Sequence, residues 1–181
     1  SLFKEFVEEE SWLKSRSVVK LLLETHASTK ERLKPYDKLY EKIFKITGKP
    51  RSILDLGAGL NPLSIIFMGL LSNSSNVKNF SYYCYDINEK EVELLNYFFN
   101  KLSGHFSNFE GKADVFDLLH WDQIQEMDVV DVCFLFKVTD ILDQGKGHKI
   151  TEEVIFHTPS KFVVISFPTK TMSGKRMNYP R

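Results

Sequence analysis

Apolar positions along the chain switch between two periods. From residue 2 to 25 the pattern is helical, with Val18, Leu21, Leu22 and Thr25 forming an i, i+3, i+4, i+7 stripe. Ser11 and Ser17 suit N-caps, which divides this stretch into two short helices. Ser28 and Glu31 have capping-box spacing. Pro35 then opens a helix with Tyr36, Leu39, Tyr40, Ile43 and Phe44 on its apolar face, and Gly48 and Pro50 end it. Beyond this point short apolar runs alternate with helical segments. The runs predict strands at 52–56, 80–86, 109–113, 129–136 and 162–167. Between them the pattern predicts helices at about 63–71, 89–102 and 151–156, with a Ser/Asn-rich loop at 72–78. The fourth strand is apolar almost throughout, as when both faces are covered. Alternation of this kind predicts an α/β fold, a doubly wound, mostly parallel, Rossmann-like sheet. We expect residues 1–50 to form an N-terminal helical segment and 51–181 a ligand-binding α/β domain. Only 14 residues follow Phe167, so the sheet is expected to end early or the domain to be incomplete at its C-terminus.

The junction after the first strand narrows the chemistry. Ser52 to Ser64 reads Ser-Ile-Leu-Asp-Leu-Gly-Ala-Gly-Leu-Asn-Pro-Leu-Ser. Gly57 and Gly59 permit a tight turn, and Pro62 suits the first position of a helix. Strand, glycine turn and helix start together form a nucleotide-type cradle. Pro62 holds the place of the third glycine of a dinucleotide fingerprint. Asp55 would repel a pyrophosphate and favour a ligand with an ammonium and a sulfonium, such as S-adenosyl-L-methionine (SAM). Ligands in such sheets bind at the carboxyl ends of the strands. Asp55, Asp86 and Asp114 each stand at such an end: Asp86 suits ribose hydroxyls, and Asp114 an adenine amino group. This reading requires Asp55 and Asp86 to face one shared cavity. A plain turn with Asp55 capping backbone amides is the simpler alternative.

Composition adds less. The chain of 181 residues has 43% hydrophobic residues and 15 phenylalanines, enough for a substantial core. Charges balance at 24 against 24, but unevenly. Residues 30–51 hold eight bases and three acids, 169–181 four bases and no acid, and 114–131 six acids and no Lys or Arg. Such segregation steers a polyanion to one face; ordinary solvated helix faces are the simpler reading. Cys84 and Cys133 lie in apolar runs with no metal-ligand spacing, as buried thiols in a reducing cytoplasm. No signal-peptide pattern or membrane-length apolar run stands out.

Five blocks then carry a resemblance. His26-Ala-Ser-Thr-Lys-Glu-Arg-Leu33, Ile53-Leu-Asp-Leu-Gly-Ala-Gly-Leu-Asn-Pro-Leu63, Tyr85-Asp-Ile87, Phe134-Leu-Phe-Lys137 and Ser166-Phe-Pro-Thr-Lys-Thr-Met-Ser-Gly174 occur in this order. Over residues 17–179 the chain resembles the 16S ribosomal RNA guanine-N7 methyltransferases of aminoglycoside resistance. The resemblance implies a SAM-dependent enzyme, monomeric and cytoplasmic, whose partner is the small ribosomal subunit or its 16S rRNA. It implies that Arg32 holds the SAM carboxylate, which two parallel hydrogen bonds suit. It implies that Asp55, Gly57, Ala58, Gly59, Asp86, Ile87, Asp114 and Val115 line the cofactor site, and that His26 shapes it. Lys137 would face the target nucleotide and Asn61 help to place the guanine. Lys30, Lys34, Lys170, Lys175 and Arg176 would contact RNA phosphates. Family members carry a longer N-terminal helical domain and continue past the Gly174 loop. They often have a cysteine where this chain has Ala58. Guanine N7 has a lone pair and no proton to lose, so positioning and electrostatics suffice without a general base. A SAM methyltransferase acting on a protein or small molecule, a non-catalytic relative and, more remotely, a dinucleotide oxidoreductase are the competing readings.

Overall fold

The computed structural model describes residues 16–24, 29, 36–74, 79–143 and 147–167. Among the described residues five strands form one sheet: β1 (Ser52–Leu56), β2 (Phe80–Asp86), β3 (Phe109–Val115), β4 (Val130–Phe136) and β5 (Ser160–Ser166). The order is β3-β2-β1-β4-β5, and all four pairings are parallel. Around it lie α1 (Arg16–Leu23), α2 (Tyr36–Thr47), α3 (Glu89–His105), α4 (Thr139–Asp143) and α5 (Lys149–His157). The chain moves outward from β1 to β2 and β3, then returns to place β4 on the other side of β1. That reversal opens a crevice at the carboxyl ends of β1 and β4.

Side-chain alternation along β1 divides the core into two layers. Ile53 joins Tyr82, Phe99 and Phe134 under α1, α2 and α3. Leu54 and Leu56 face the opposite layer with Cys133, Leu135, Ile124 and Val154. The two layers explain why β4 is apolar at every position but Asp131, whose carboxylate instead accepts from the Arg51 amide and the Lys161 ammonium.

The predicted strands match the observed ones to within two residues at each end. The helix predicted at 63–71 is different: residues Asn61–Phe67 form a 3₁₀ helix. Pro62 starts it, Ile65 and Ile66 disfavour α-helix through their branched Cβ, and Gly69 follows at φ 64°. The tighter winding is held by polar anchors, since Tyr40 and Ser64 share a hydroxyl hydrogen bond of 2.5 Å and Ser64 donates to the Asn61 carbonyl at 2.6 Å. Two short elements were not apparent in the periodicity, the 3₁₀ segment Trp121–Glu126 and α4. Of the predicted first helical region only Arg16–Leu23 is described as helix, and the Ser28/Glu31 capping box lies outside the described residues.

Candidate functional site

The glycine turn is stitched to its neighbours from both sides. The Gly57 and Ala58 amides both donate to the Tyr85 carbonyl on β2, at 2.9 and 3.1 Å. Gly57 sits at φ 65°, and a Cβ there would come within 2.7 Å of Val138 Cγ2. The left-handed backbone and the close approach of the segment after β4 both require glycine. At the end of β2 the Asp86 carboxylate accepts from the Gly59 amide at 2.7 Å and the Asn88 amide at 3.0 Å. Asn88 in turn caps α3. One carboxylate therefore fixes the turn after β1 and the helix start after β2, and each oxygen keeps a lone pair for a further donor.

Beside this turn lies a cavity of about 360 Å³, within the roughly 300–1,000 Å³ usual for small ligands. Gly57, Gly59, Asp86 and Ile87 line one side. Lys137, on the far side, follows β4 in a left-handed conformation, φ 59°, and its amide donates to the Ser166 carbonyl of β5 at 2.9 Å. Leu119 and Ile141, both more than half exposed, and Phe116 complete an apolar slot, with Asp117 at its edge. Two carboxylates, Asp86 and Asp117, and one ammonium, Lys137, belong to the lining. Burial first, then the carboxylates of Asp55, Asp86 and Asp114, push the Cys84 thiol well above its ordinary range.

Of the expected site residues, Gly57, Gly59, Asp86, Ile87 and Lys137 come together in this lining. Five do not. Among the described residues Asp55 is absent from the cavity that Asp86 lines, so the shared cavity that the two acids were expected to face is not found, and the case for a cationic cofactor there passes to Asp86 and the glycine turn. Asp55 points into the layer of Ile53, is 1% exposed, and accepts hydrogen bonds from Asn61 Nδ2 at 2.8 Å and the Tyr82 hydroxyl at 2.7 Å. Its place one residue out of phase with Leu54 and Leu56 sends it to that layer. Asn61 is equally buried in the same network, so it does not reach a target base. Ala58 packs in the core. Asp114 forms a 2.6 Å ion pair with Lys112 on the outer strand β3, and the exposed Val115 lies apart from the lining. The sequence places the third strand end too early: β3 continues to Val115, and the acid at the cavity is Asp117. The spacing of Val138, Ile141 and Leu142 carried a faint sign of α4 that the sequence reading missed. His26, Lys30, Arg32, Lys34, Lys170, Lys175 and Arg176 lie outside the described residues.

The profile of the ribosomal RNA methyltransferase family FmrO matches residues 14–179. The chain belongs to this family. It is 32% identical over 157 residues, 85% of its length, to a 16S rRNA (guanine(1405)-N(7))-methyltransferase of Proteus mirabilis, covering 50% of that protein. A namesake from Micromonospora echinospora is 30% identical over 164 residues, 89% of this chain and 53% of that protein. The chain thus spans about half the length of the curated relatives it matches. The solved 16S rRNA methyltransferase RmtF, in complex with S-adenosyl-L-homocysteine, superimposes with a TM-score of 0.68 at 27% identity, over 96% of this chain and 58% of that one. The 16S rRNA methylase RmtB gives 0.67 at 25% identity, over 91% of this chain and 61% of that one. The Rossmann-like methyltransferase fold is therefore shown.

Proposed function

We propose that this FmrO-family chain is the SAM-binding part of an enzyme that methylates guanine N7 in 16S rRNA, at the guanine equivalent to the 1405 of its relatives' names. The observation that carries the reading is Asp86, held by two backbone amides at the mouth of the cavity between the glycine turn and Lys137. The residues fit the cofactor. Asp86 offers lone pairs to two vicinal ribose hydroxyls, Ile87, Phe116, Leu119 and Ile141 offer apolar surfaces to a flat purine, and Asp117 accepts from its amino group. When bound, the cofactor supplies an electrophilic methyl on a sulfonium centre. The two lining carboxylates, Asp86 and Asp117, favour that positive charge. Lys137, at the end of β4, faces the target nucleotide across the opening and binds its phosphate or base edge. Because N7 already presents a lone pair, no residue of this chain need remove a proton; the lining holds donor and acceptor in line. Arg32 remains the group for the cofactor's carboxylate, and His26 a residue shaping its pocket. Lys30, Lys34, Lys170, Lys175 and Arg176 remain the proposed RNA contacts, with the protein acting in the cytoplasm. None of the described helices is long and apolar enough to cross a membrane.

Purified bacterial small ribosomal subunits incubated with the protein and methyl-labelled SAM test this. Label should enter 16S rRNA as 7-methylguanosine. SAM binding by calorimetry without label in the subunit would favour a protein or small-molecule acceptor, and no SAM binding would leave a non-catalytic relative.

A further inference from the structure

Helix α2 carries a feature that the cavity does not explain. Lys38, Lys42 and Lys45 are all exposed, and Lys49 continues the line just past the helix end. Spacings of four and three residues place the three helical lysines within a sector of about 60°, along roughly 10 Å of axis. Among the described residues none of these four has a carboxylate within ion-pair distance. Glu41 lies on the margin of the stripe rather than within it. Like charges three and four residues apart disfavour a helix. Glu41, three residues after Lys38 and four before Lys45, has the spacing to relieve part of this repulsion. The inner face also holds the helix: Tyr36 and Tyr40 are buried, stack on one another and reach Asn61 and Ser64.

The opposite side of the sheet has the opposite sign. Asp122, Glu126 and Asp128 on and beside the 3₁₀ segment, and Glu152 and Glu153 on α5, are exposed over the layer of Leu54 and Leu56. Among the described residues the acids concentrate on that side, while the α2 side is mixed, with Glu24, Glu41, Glu89 and Glu93 exposed there and the lysine stripe as its basic strip. A polyanion is drawn to that strip and turned from the other side. The contacts of Tyr36 with Asn61 and Tyr40 with Ser64 place the N-terminal half of α2 beside the segment that follows the glycine turn. The stripe thus runs away from the cavity end of the molecule along its flank.

We propose that Lys38, Lys42, Lys45 and Lys49 form a docking surface for the sugar-phosphate backbone of the RNA substrate, separate from the residues that face the target base. The inference rests on the rRNA reading above and adds where the RNA lies. Contacts of this kind orient the substrate without reading sequence, and each phosphate contact steepens the salt dependence of binding.

The test is binding of the protein to purified small ribosomal subunits over a series of KCl concentrations. The double variant Lys42→Glu/Lys45→Glu is compared with wild type and with Lys149→Glu on the opposite face. The double variant should bind on the order of tenfold or more weakly, and its log-affinity against log-salt slope should be shallower by about two. Its calorimetric affinity for S-adenosyl-L-homocysteine and its unfolding midpoint should match wild type. The neutral pair Lys42→Gln/Lys45→Gln should show a smaller loss in the same direction, which covers a failure of the Glu variant to fold. Lys149→Glu should bind within about twofold of wild type. Unchanged subunit binding and slope in both double variants, with wild type still methylating the subunit, would overturn the stripe and leave the rRNA reading standing. An equal loss from Lys149→Glu would also overturn it. Wild type that neither binds nor methylates the subunit would remove both.

Discussion

At the scale of single residues, the three acids expected at strand ends have three different positions, and position decides what each can do. Asp55 is enclosed by Asn61 and Tyr82, Asp114 is paired with Lys112 on the rim, and Asp86 alone of the three meets the cavity. Asp117, three residues beyond Asp114, meets it too. Truncation should separate them. Asp86→Ala removes the acceptors for ribose and releases the Gly59 and Asn88 amides, so affinity for S-adenosyl-L-homocysteine should fall by at least about tenfold, the worth of one or two charge-assisted hydrogen bonds. Asp117→Ala should cost a smaller factor, because a hydrogen bond to an adenine amino group is weaker than one that also sets the turn. Asp114→Ala should stay within about twofold, since it breaks an exposed ion pair of small worth. Calorimetric titration of the three variants gives the order directly; Asp114→Ala falling as far as Asp86→Ala would return the adenine role to β3.

At the scale of elements, the glycine turn is held from beneath by a buried polar network. Tyr36 of α2 donates to Asn61 Oδ1 at 3.4 Å, Asn61 and Tyr82 of β2 donate to Asp55 of β1, and Tyr40 and Ser64 close the network. This explains why the segment after the turn is a 3₁₀ helix, and why a strand that reads as apolar tolerates an aspartate. Tyr82→Phe removes the hydroxyl and keeps the ring that packs on Phe80 and Phe99. It leaves the buried Asp55 carboxylate one donor poorer, so the protein should lose about 1–3 kcal/mol, read from denaturant midpoints at constant slope. A loss below about 0.5 kcal/mol would show that the hydroxyl adds nothing the rest of the network does not supply. The network also marks how far the sequence could be read. Strands and their order of appearance were legible because period-two and continuous apolar runs report burial directly. The glycine turn and Asp86 were legible because turn chemistry is local. Asp55 and Asn61 were misread because their partners, Tyr82 and Tyr36, lie more than twenty positions away, and spacing along the chain carries no sign of which layer a buried acid enters. The end of β3 was misjudged because Asp114 has the look of a turn residue while its strand runs on to Val115.

At the scale of the whole molecule, two carboxylates tie together the half of the sheet that carries Lys137. Asp131 joins the Arg51 amide before β1 to Lys161 on β5, and the Lys161 hydrogen bond, followed by that amide, holds its carboxyl below the ordinary 3.8. Asp143 closes α4 onto the start of α5. Burial alone would raise its carboxyl, but the Thr151 hydroxyl, the Thr151 and Ile150 amides and His148 outweigh burial and bring it below 3.8. A carboxyl depressed in the folded state binds protons more weakly there than in the unfolded chain. Its contribution is therefore complete above the unfolded value and is lost as pH falls through the folded one. Both groups act on the β4–β5 edge, so acid should loosen this edge while neutral and mildly acidic conditions leave it intact. Asp143→Asn isolates one of them. The amide keeps the shape but cannot accept from the Thr151 hydroxyl and two backbone amides with both atoms, so the variant should melt below wild type at pH 7. As pH drops below about 4 wild type gives up the same stabilisation by protonation, and the two melting temperatures should converge. A gap that stays constant down to pH 3 would mean that Asp143 acts through shape and hydrogen bonds that survive protonation, and that the acid limb of this fold belongs to other groups.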